Sequence, residues 1–123
     1  MRQAWPLRFL AAVALFSLLW TPAPASAHAI VVAANPAVGA TVRGASIPII
    51  LRFNSRVDPR RSRLTLIGPS GKAVHLTLMN PAVDSLTAQT PQLIPGAYRL
   101  RWQVLSIDGH VTYGEIPFTV VAQ

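Results

Sequence analysis

A carboxylate and an imidazole lie two residues apart near the C-terminus of this chain, in the stretch Ser106-Ile107-Asp108-Gly109-His110. Side chains alternate along an extended backbone, so Asp108 and His110 can point to the same side and bind one metal ion. The stretch also fits a hairpin turn, because Asp-Gly tolerates the positive φ values of a tight turn, and His110 would then be an ordinary strand residue. Taken alone, the stretch favours the turn.

The other half of the candidate site depends on processing of the N-terminus. Residues 1–8 are positively charged, residues 9–20 form an apolar run too short to cross a bilayer, and residues 25–27 are Ala-Ser-Ala, the small-x-small pattern that signal peptidase accepts. An uncleaved membrane anchor would need a longer apolar run and would leave the Ala-Ser-Ala sequence unexplained. We therefore predict that residues 1–27 are a secretory signal peptide, cleaved after Ala27.

Cleavage there would give His28 a free α-amine beside its imidazole Nδ1, and these two nitrogens can close a chelate on one metal ion. An unperturbed α-amine loses its proton at about pH 8, and a metal displaces that proton readily. With His110 and Asp108 the set has three nitrogens, one oxygen and no sulfur, which suits tetragonal Cu(II) better than other first-row ions, with Zn(II) as the competitor. The alternative is that cleavage leaves a histidine first by chance, and the downstream Asp-x-His pair argues against it.

The predicted mature part comprises the 96 residues from 28 to 123, which is enough chain for one domain with a modest core. It keeps nine basic and four acidic residues, so its net charge is +5. Its cluster of basic residues lacks interleaved aromatics and any nucleic-acid motif, which favours a solvated face over a nucleic-acid site. The cluster consists of Arg56, Arg60, Arg61 and Arg63.

The chain contains no cysteine, so the fold must rest on its hydrophobic core without disulfides, and thiol chemistry is excluded. Met79 is the only methionine of the predicted mature part, so a soft Cu(I) site cannot be assembled from this sequence alone. No Ser-His-Asp set, Gly-rich phosphate loop or paired-carboxylate site is present, and a hydrolase has no support. We predict a binding protein and not an enzyme.

About seven short segments have the character of β-strands, most of them with the period-two alternation of a half-buried strand, and none shows a sustained helical period. Turn residues separate these segments at intervals of roughly ten residues, which is typical of a β-sandwich. The pattern therefore predicts an all-β domain. The predicted strands are residues 28–34, 47–54, 63–67, 74–78, 85–90, 98–104 and 110–120.

The same alternation predicts which way three side chains face. Trp102 shares the apolar face of its strand, so we expect it to anchor the core and not to line a binding site. His75 lies on the polar face of its strand, which predicts a surface residue and not a ligand. Counting back in twos from Ile116 puts His110 on the core-facing side, near one end of the sandwich, provided that no bulge intervenes.

A series of short motifs runs along essentially the whole predicted mature sequence: His28-Ala29, Asn35-Pro36-Ala37-x-Gly39-Ala40, Leu51-Arg52-Phe53, Gly96-x-Tyr98-x-Leu100-x-Trp102, Ser106-x-Asp108-Gly109-His110, and Gly114 followed by Phe118-x-Val120. In these motifs the sequence resembles the CopC family of periplasmic copper-binding proteins. The resemblance is specific, because the two ligand-bearing parts lie at the expected ends of the chain.

The resemblance implies a Greek-key β-sandwich or barrel of cupredoxin-like or Ig-like type. It implies one Cu(II) per mature chain, held by the amine and imidazole of His28, by His110 and by Asp108. It further implies copper sequestration, delivery or tolerance in the periplasm, often with a CopD-like inner-membrane protein as partner. We expect a monomer with no nucleic-acid partner.

Two departures from the family pattern affect these expectations. Members often carry an acidic residue just after the phenylalanine of the early strand, where this chain has Phe53-Asn54-Ser55-Arg56, so we expect a weaker or less shielded copper site. Some members also carry a Met-rich Cu(I) segment, and its absence here fits a protein that binds Cu(II) only.

Two other functions stay open. An N-terminal histidine plus a second histidine resembles the histidine brace of copper polysaccharide monooxygenases. Asp108 would fill the coordination position that such an enzyme keeps open, and the short chain leaves little room for a polysaccharide-binding face. Oxygen consumption with a reductant would distinguish this enzyme. The other alternative is a metal-free Ig-like interaction module, which would show no stoichiometric Cu(II) binding in equilibrium dialysis.

Overall fold

The alternation of apolar and polar residues produces eight β-strands and no helix in the part of the chain that the structure describes. This computed structural model describes residues 28–80 and 82–123, and the predicted signal peptide lies outside them. Within these ranges there is accordingly no helix that could cross a membrane. The strands are β1 (Val31–Asn35), β2 (Thr41–Arg43), β3 (Pro48–Phe53), β4 (Val57–Ile67), β5 (Ala73–Leu76), β6 (Ser85–Gln89), β7 (Gly96–Ser106) and β8 (Val111–Val121).

The strands form two sheets. The smaller sheet has the order β1-β3-β6 and is antiparallel, and the larger has the order β2-β8-β7-β4-β5, in which only β2 and β8 run parallel. Strands β7 and β8 form a hairpin that pairs continuously from Gly96 opposite Val120 to Leu105 opposite Val111. Beyond this last pair lies the turn that contains the Asp-x-His sequence.

Both sheets contribute alternate residues to one hydrophobic core. In β3, Ile49, Leu51 and Phe53 are buried while the residues between them are exposed, and β7 buries Leu100 and Val104 in the same way. Burying a large aliphatic or aromatic side chain contributes about 1.5–3 kcal/mol relative to leaving it in water. The period-two pattern of the sequence therefore drives the two sheets together.

Trp102 packs between the sheets at the edge of this core. Its ring meets Phe53 of the other sheet edge to face, with centroids 5.4 Å apart, and it is partly buried. Gly114 lies opposite Trp102 in the hairpin, and a Cβ there would come within 2.7 Å of the indole Cζ2. The predicted core position of Trp102 is confirmed, and it requires a glycine on the neighbouring strand.

The all-β prediction is confirmed, with eight strands where the sequence indicated about seven. The additional strand, β2, has three residues, too few to show a period. Strand β4 also begins at Val57, six residues before the predicted start. The sequence did not reveal the first part of this strand because that part is irregular. The register shifts between Asp58 and Arg63, where Pro59 has no N–H to donate and the Asp58 side chain instead accepts from the Arg60 amide at 2.9 Å.

Candidate metal centre

The turn between β7 and β8 fixes the backbone of the Asp-x-His sequence. The Ser106 carbonyl accepts a hydrogen bond from the Gly109 amide at 2.9 Å, and the Ser106 amide donates to the His110 carbonyl at 2.8 Å. Gly109 adopts a φ of 91°, which a glycine accepts without a steric penalty. These features describe a three-residue hairpin loop closed by a left-handed residue. The stretch is therefore a hairpin turn, but His110 belongs to the turn and is not the strand residue that this interpretation assumed.

The same turn also brings the two polar side chains into contact. His110 Nδ1 lies 3.2 Å from Asp108 Oδ2, and the His110 amide donates to Asp108 Oδ1 at 3.3 Å. Desolvation raises the pKa of the Asp108 carboxyl, but the backbone and side-chain hydrogen bonds from His110, together with its charge, outweigh that effect and hold this pKa below its ordinary value. The carboxyl of Asp108 is thus ionised at neutral pH and able to accept a cation.

The prediction that His110 faces the core is wrong. Its side chain is 58% exposed, because β8 begins at Val111 and His110 still belongs to the turn. The inward alternation holds for Ile116, Phe118 and Val120 and has already weakened at Thr112, which is only partly buried. Counting in twos assumed a strand that reaches farther than the observed one.

The N-terminal segment reaches the same end of the molecule. Ala29 is buried in the core with 1% exposure, and Ile30 exchanges two hydrogen bonds with Asn54, the residue that follows β3. These anchors leave His28 beside the hairpin turn, where its ring meets that of His110 edge to face with centroids 5.8 Å apart. The structure therefore brings His28, Asp108 and His110 together from opposite ends of the sequence.

The three side chains are neighbours but are not arranged as metal ligands. Among the described residues, no three His, Cys, Asp or Glu side chains form a group that could hold an ion. The imidazoles of His28 and His110 present an edge to a face, and the Asp108 carboxylate points at His110. In this chain the nitrogen of His28 is also an amide linked to Ala27, so one of the four proposed donors does not exist before cleavage.

The donor chemistry nevertheless fits a small hard or borderline cation. Two imidazoles and an ionised carboxylate lie on an exposed turn and in the exposed segment before β1, where a side chain can change rotamer without disturbing the core. Three hydroxyl oxygens around this end of the fold are buried without a hydrogen-bond partner, and sequence patterns gave no sign of them. They belong to Ser55, Ser106 and Thr112.

His75 is an exposed residue in a different environment, as predicted. It lies on β5, paired with Thr65 of β4, and its Nδ1 is 3.0 Å from the Thr65 hydroxyl. It lines an open groove of about 560 Å³ on the outer face of the larger sheet, together with Arg101, Tyr113 and Glu115. None of the three candidate ligands lines this groove, so it is not the metal centre.

Two arginines of this outer face pair with Glu115. Arg101 Nε donates to Glu115 Oε1 at 2.6 Å, and Arg99 lies 3.6 Å from the same oxygen. The Arg101 hydrogen bond holds the pKa of Glu115 below its ordinary value, with smaller contributions from the charges of both arginines. Glu115 is therefore already paired and does not add a carboxylate to the metal centre.

The described chain is thus a small two-sheet β protein with a histidine and aspartate cluster at one end. The family model of the CopC domain matches residues 31–121, a range that includes Asp108 and His110 and begins after His28. The chain belongs to the CopC family, and the resemblance inferred from its motifs is confirmed.

Three relatives show how far this similarity extends. Protein YobA of Escherichia coli (strain K12) is 32% identical over 125 residues, covering 93% of this chain and 94% of YobA. The crystal structure of CopC from Methylosinus trichosporium OB3b has a TM-score of 0.72 at 31% identity, covering 78% of this chain and 96% of that chain. The crystal structure of PcoC, a methionine-rich copper resistance protein from Escherichia coli, has a TM-score of 0.61 at 25% identity. This match covers 77% of this chain and 100% of the PcoC chain.

Proposed function

We propose that the mature protein, beginning at His28, is a periplasmic protein that binds one Cu(II) for sequestration, delivery or tolerance. The observation that carries this proposal is the meeting of His28 with the Asp108 and His110 hairpin at one end of the fold. His28 is 80 positions from Asp108 and 82 from His110 in the sequence, and no core packing requires polar side chains there. Membership of the CopC family supports copper as the ion.

Each ligand has a distinct role in this proposal. The α-amine and imidazole of His28 form the chelate, His110 adds a third nitrogen and Asp108 supplies an oxygen. The contact of Asp108 with Nδ1 of His110 leaves Nε2 of that ring as the nitrogen available to an ion. Asp108 therefore holds the ring and its tautomer before the ion arrives and neutralises part of the cation's charge afterwards.

The composition supports Cu(II) over Cu(I). PcoC is described as methionine-rich, whereas the mature part of this chain has Met79 alone, and Met79 is an exposed residue paired with Thr87. Without a thioether cluster or any cysteine, a soft monovalent ion has no ligand set here. The proposed recipient of the ion is a CopD-like inner-membrane partner.

Intact mass spectrometry of the protein recovered from the periplasm tests this proposal. We expect a polypeptide that begins at His28 and, under conditions that preserve metal binding, an added mass of one copper ion. Titration of the same protein with Cu(II) should give one equivalent, weak d–d absorption and no intense thiolate charge-transfer band. A mature N-terminus at another residue, or zinc in place of copper, would contradict the proposal.

A further inference from the structure

The turn that follows β3 contacts both halves of the candidate metal centre. The side chain and amide of Asn54 hold Ile30 of the N-terminal segment, and the carbonyl of Arg56 accepts a hydrogen bond from the Ile107 amide of the hairpin at 3.3 Å. Val57 then pairs with Ser106 at the base of that hairpin. One short segment of chain therefore links the terminus that carries His28 with the turn that carries the other two ligands.

Asn54 achieves this link through an unusual exchange. In a regular antiparallel pair, two opposed residues donate and accept through their main chains in both directions. Here the Asn54 amide donates to the Ile30 carbonyl at 2.9 Å, but the Ile30 amide donates to the Asn54 side-chain Oδ1 at 2.8 Å. The carboxamide takes the place of the main-chain carbonyl, so the backbone after Asn54 can turn toward the hairpin while the N-terminal segment stays in place.

This clamp lies two residues from the proposed N-terminal ligand. Between the clamp and His28 there is only Ala29, which is buried in the core. With Ala29 packed and Ile30 bonded in both directions, little backbone freedom remains for the first residue of the mature chain. Holding a ligand near its bound position lowers the entropy that binding must remove.

We infer that Asn54 is a positioning residue for the N-terminal ligand, which its Oδ1 keeps beside His110 by fixing the Ile30 amide. The inference rests on the proposed function and adds a residue that does not touch the ion. A purely structural role predicts only a small loss of stability on substitution, because Asn54 is exposed and one exposed hydrogen bond contributes little net free energy to folding. The consequence of losing it should fall on copper binding more than on folding.

Two substitutions separate the acceptor from the rest of the side chain. Asn54→Ala removes the oxygen that the Ile30 amide needs, and Asn54→Asp keeps an oxygen at the same position. A matched control exists at the other end of β1, where Asn35 Nδ2 donates to the Pro48 carbonyl at 3.1 Å. Asn35→Ala therefore removes an exposed asparagine bond of the same β1–β3 pair, far along the strand from His28.

The experiment uses protein that begins at His28 and compares wild type with these three variants. Measurements are the Cu(II) dissociation constant by competition titration, the electron paramagnetic resonance spectrum at one equivalent, and hydrogen exchange of the Ile30 amide without metal. We expect Asn54→Ala to weaken binding about 10 to 100-fold, to alter the spectrum and to speed Ile30 exchange. Asn54→Asp should restore slow exchange of the Ile30 amide, a measurement made without metal that an added carboxylate near the ion does not affect, and Asn35→Ala should match wild type in all three measurements.

The outcomes distinguish this inference from the proposed function. If wild type binds Cu(II) and Asn54→Ala has the same affinity and spectrum, the positioning role is overturned while the proposed function stands. Equally fast Ile30 exchange in Asn54→Ala and Asn54→Asp would also overturn it, because the acceptor oxygen would then be irrelevant. Wild type that binds no Cu(II) would overturn both.

Discussion

The two ends of the β7–β8 hairpin differ in almost every physical property. At the end far from the turn, which we call the buried end, Tyr98 and Phe118 stack with centroids 5.6 Å apart and are nearly inaccessible to solvent. At the turn, Ile107 is 71% exposed and the side chains of Asp108 and His110 are exposed as well. One pair of strands thus contributes to the core at one end and presents polar groups to solvent at the other.

This difference indicates that stability and metal binding are largely separate in this fold. Strands β7 and β8 pair continuously up to the turn, so main-chain hydrogen bonds hold the turn in place without a buried side chain of its own. Substitutions at the buried end should change the free energy of unfolding, and substitutions at the turn should change the affinity for copper.

The largest effect should be the loss of stability caused by Phe118→Ala at the buried end. Phe118 is 2% exposed, and removing a buried phenylalanine leaves a cavity and costs about 3–5 kcal/mol of stability. Chemical denaturation of metal-free protein measures this loss. Thr119→Ala, on the exposed face of the same strand, is the control and should change stability by less than about 0.5 kcal/mol. A Phe118→Ala protein as stable as wild type would show that the core does not depend on this end.

At the turn, His110→Ala should reduce Cu(II) affinity by roughly 100-fold or more, since loss of a ligand should exceed the effect of losing a group behind it. The free energy of unfolding should stay nearly unchanged because the imidazole is exposed. The control is His75→Ala, which removes another exposed histidine, on β5, and should bind Cu(II) like wild type. Equal losses in both variants would place a ligand on the outer face of the larger sheet instead.

The pH dependence should reveal which donors compete with protons. Because hydrogen bonds hold the pKa of Asp108 below its ordinary value, this carboxyl stays ionised from about pH 7 to 5 and cannot cause a loss of affinity there. The nitrogen donors must lose protons to bind, so affinity should fall as the pH drops through that range. Asp108→Asn should lower affinity about tenfold and keep the shape of the profile. A flat profile for wild type would show that carboxylates dominate.

The sequence predicted the paired strands of the hairpin better than its turn, for a physical reason. A buried strand repeats every two residues, so the alternation around Leu100, Trp102 and Ile116 identifies strands and their inner faces. A turn has no period, and extending the count from Ile116 to His110 gave an inward direction that the turn does not keep. The three-residue β2, which pairs with Thr119 to Val121, escaped prediction because three residues are too few to show a period.

The candidate ligands could be found in the sequence, but their support could not. Asp108 and His110 stand two residues apart, and His28 follows a recognisable cleavage pattern, so each has a local signal. Asn54 bonds to a residue 24 positions away, and an asparagine after a strand normally indicates only a turn. The buried hydroxyls of Ser106 and Thr112 likewise depend on packing that no local pattern reports.

The N-terminal chelate requires a free α-amine on His28, and a comparison of two N-termini tests this requirement. Cu(II) affinity should be measured for protein that begins at His28 and for protein that begins at Ala27, both shown to be folded by circular dichroism. One extra residue turns the α-amine of His28 into an amide, so we expect binding at least roughly 10 to 100-fold weaker and an altered spectrum. Equal affinities would contradict the account, because they would leave at most three side-chain ligands, for which Zn(II) is as suitable as copper.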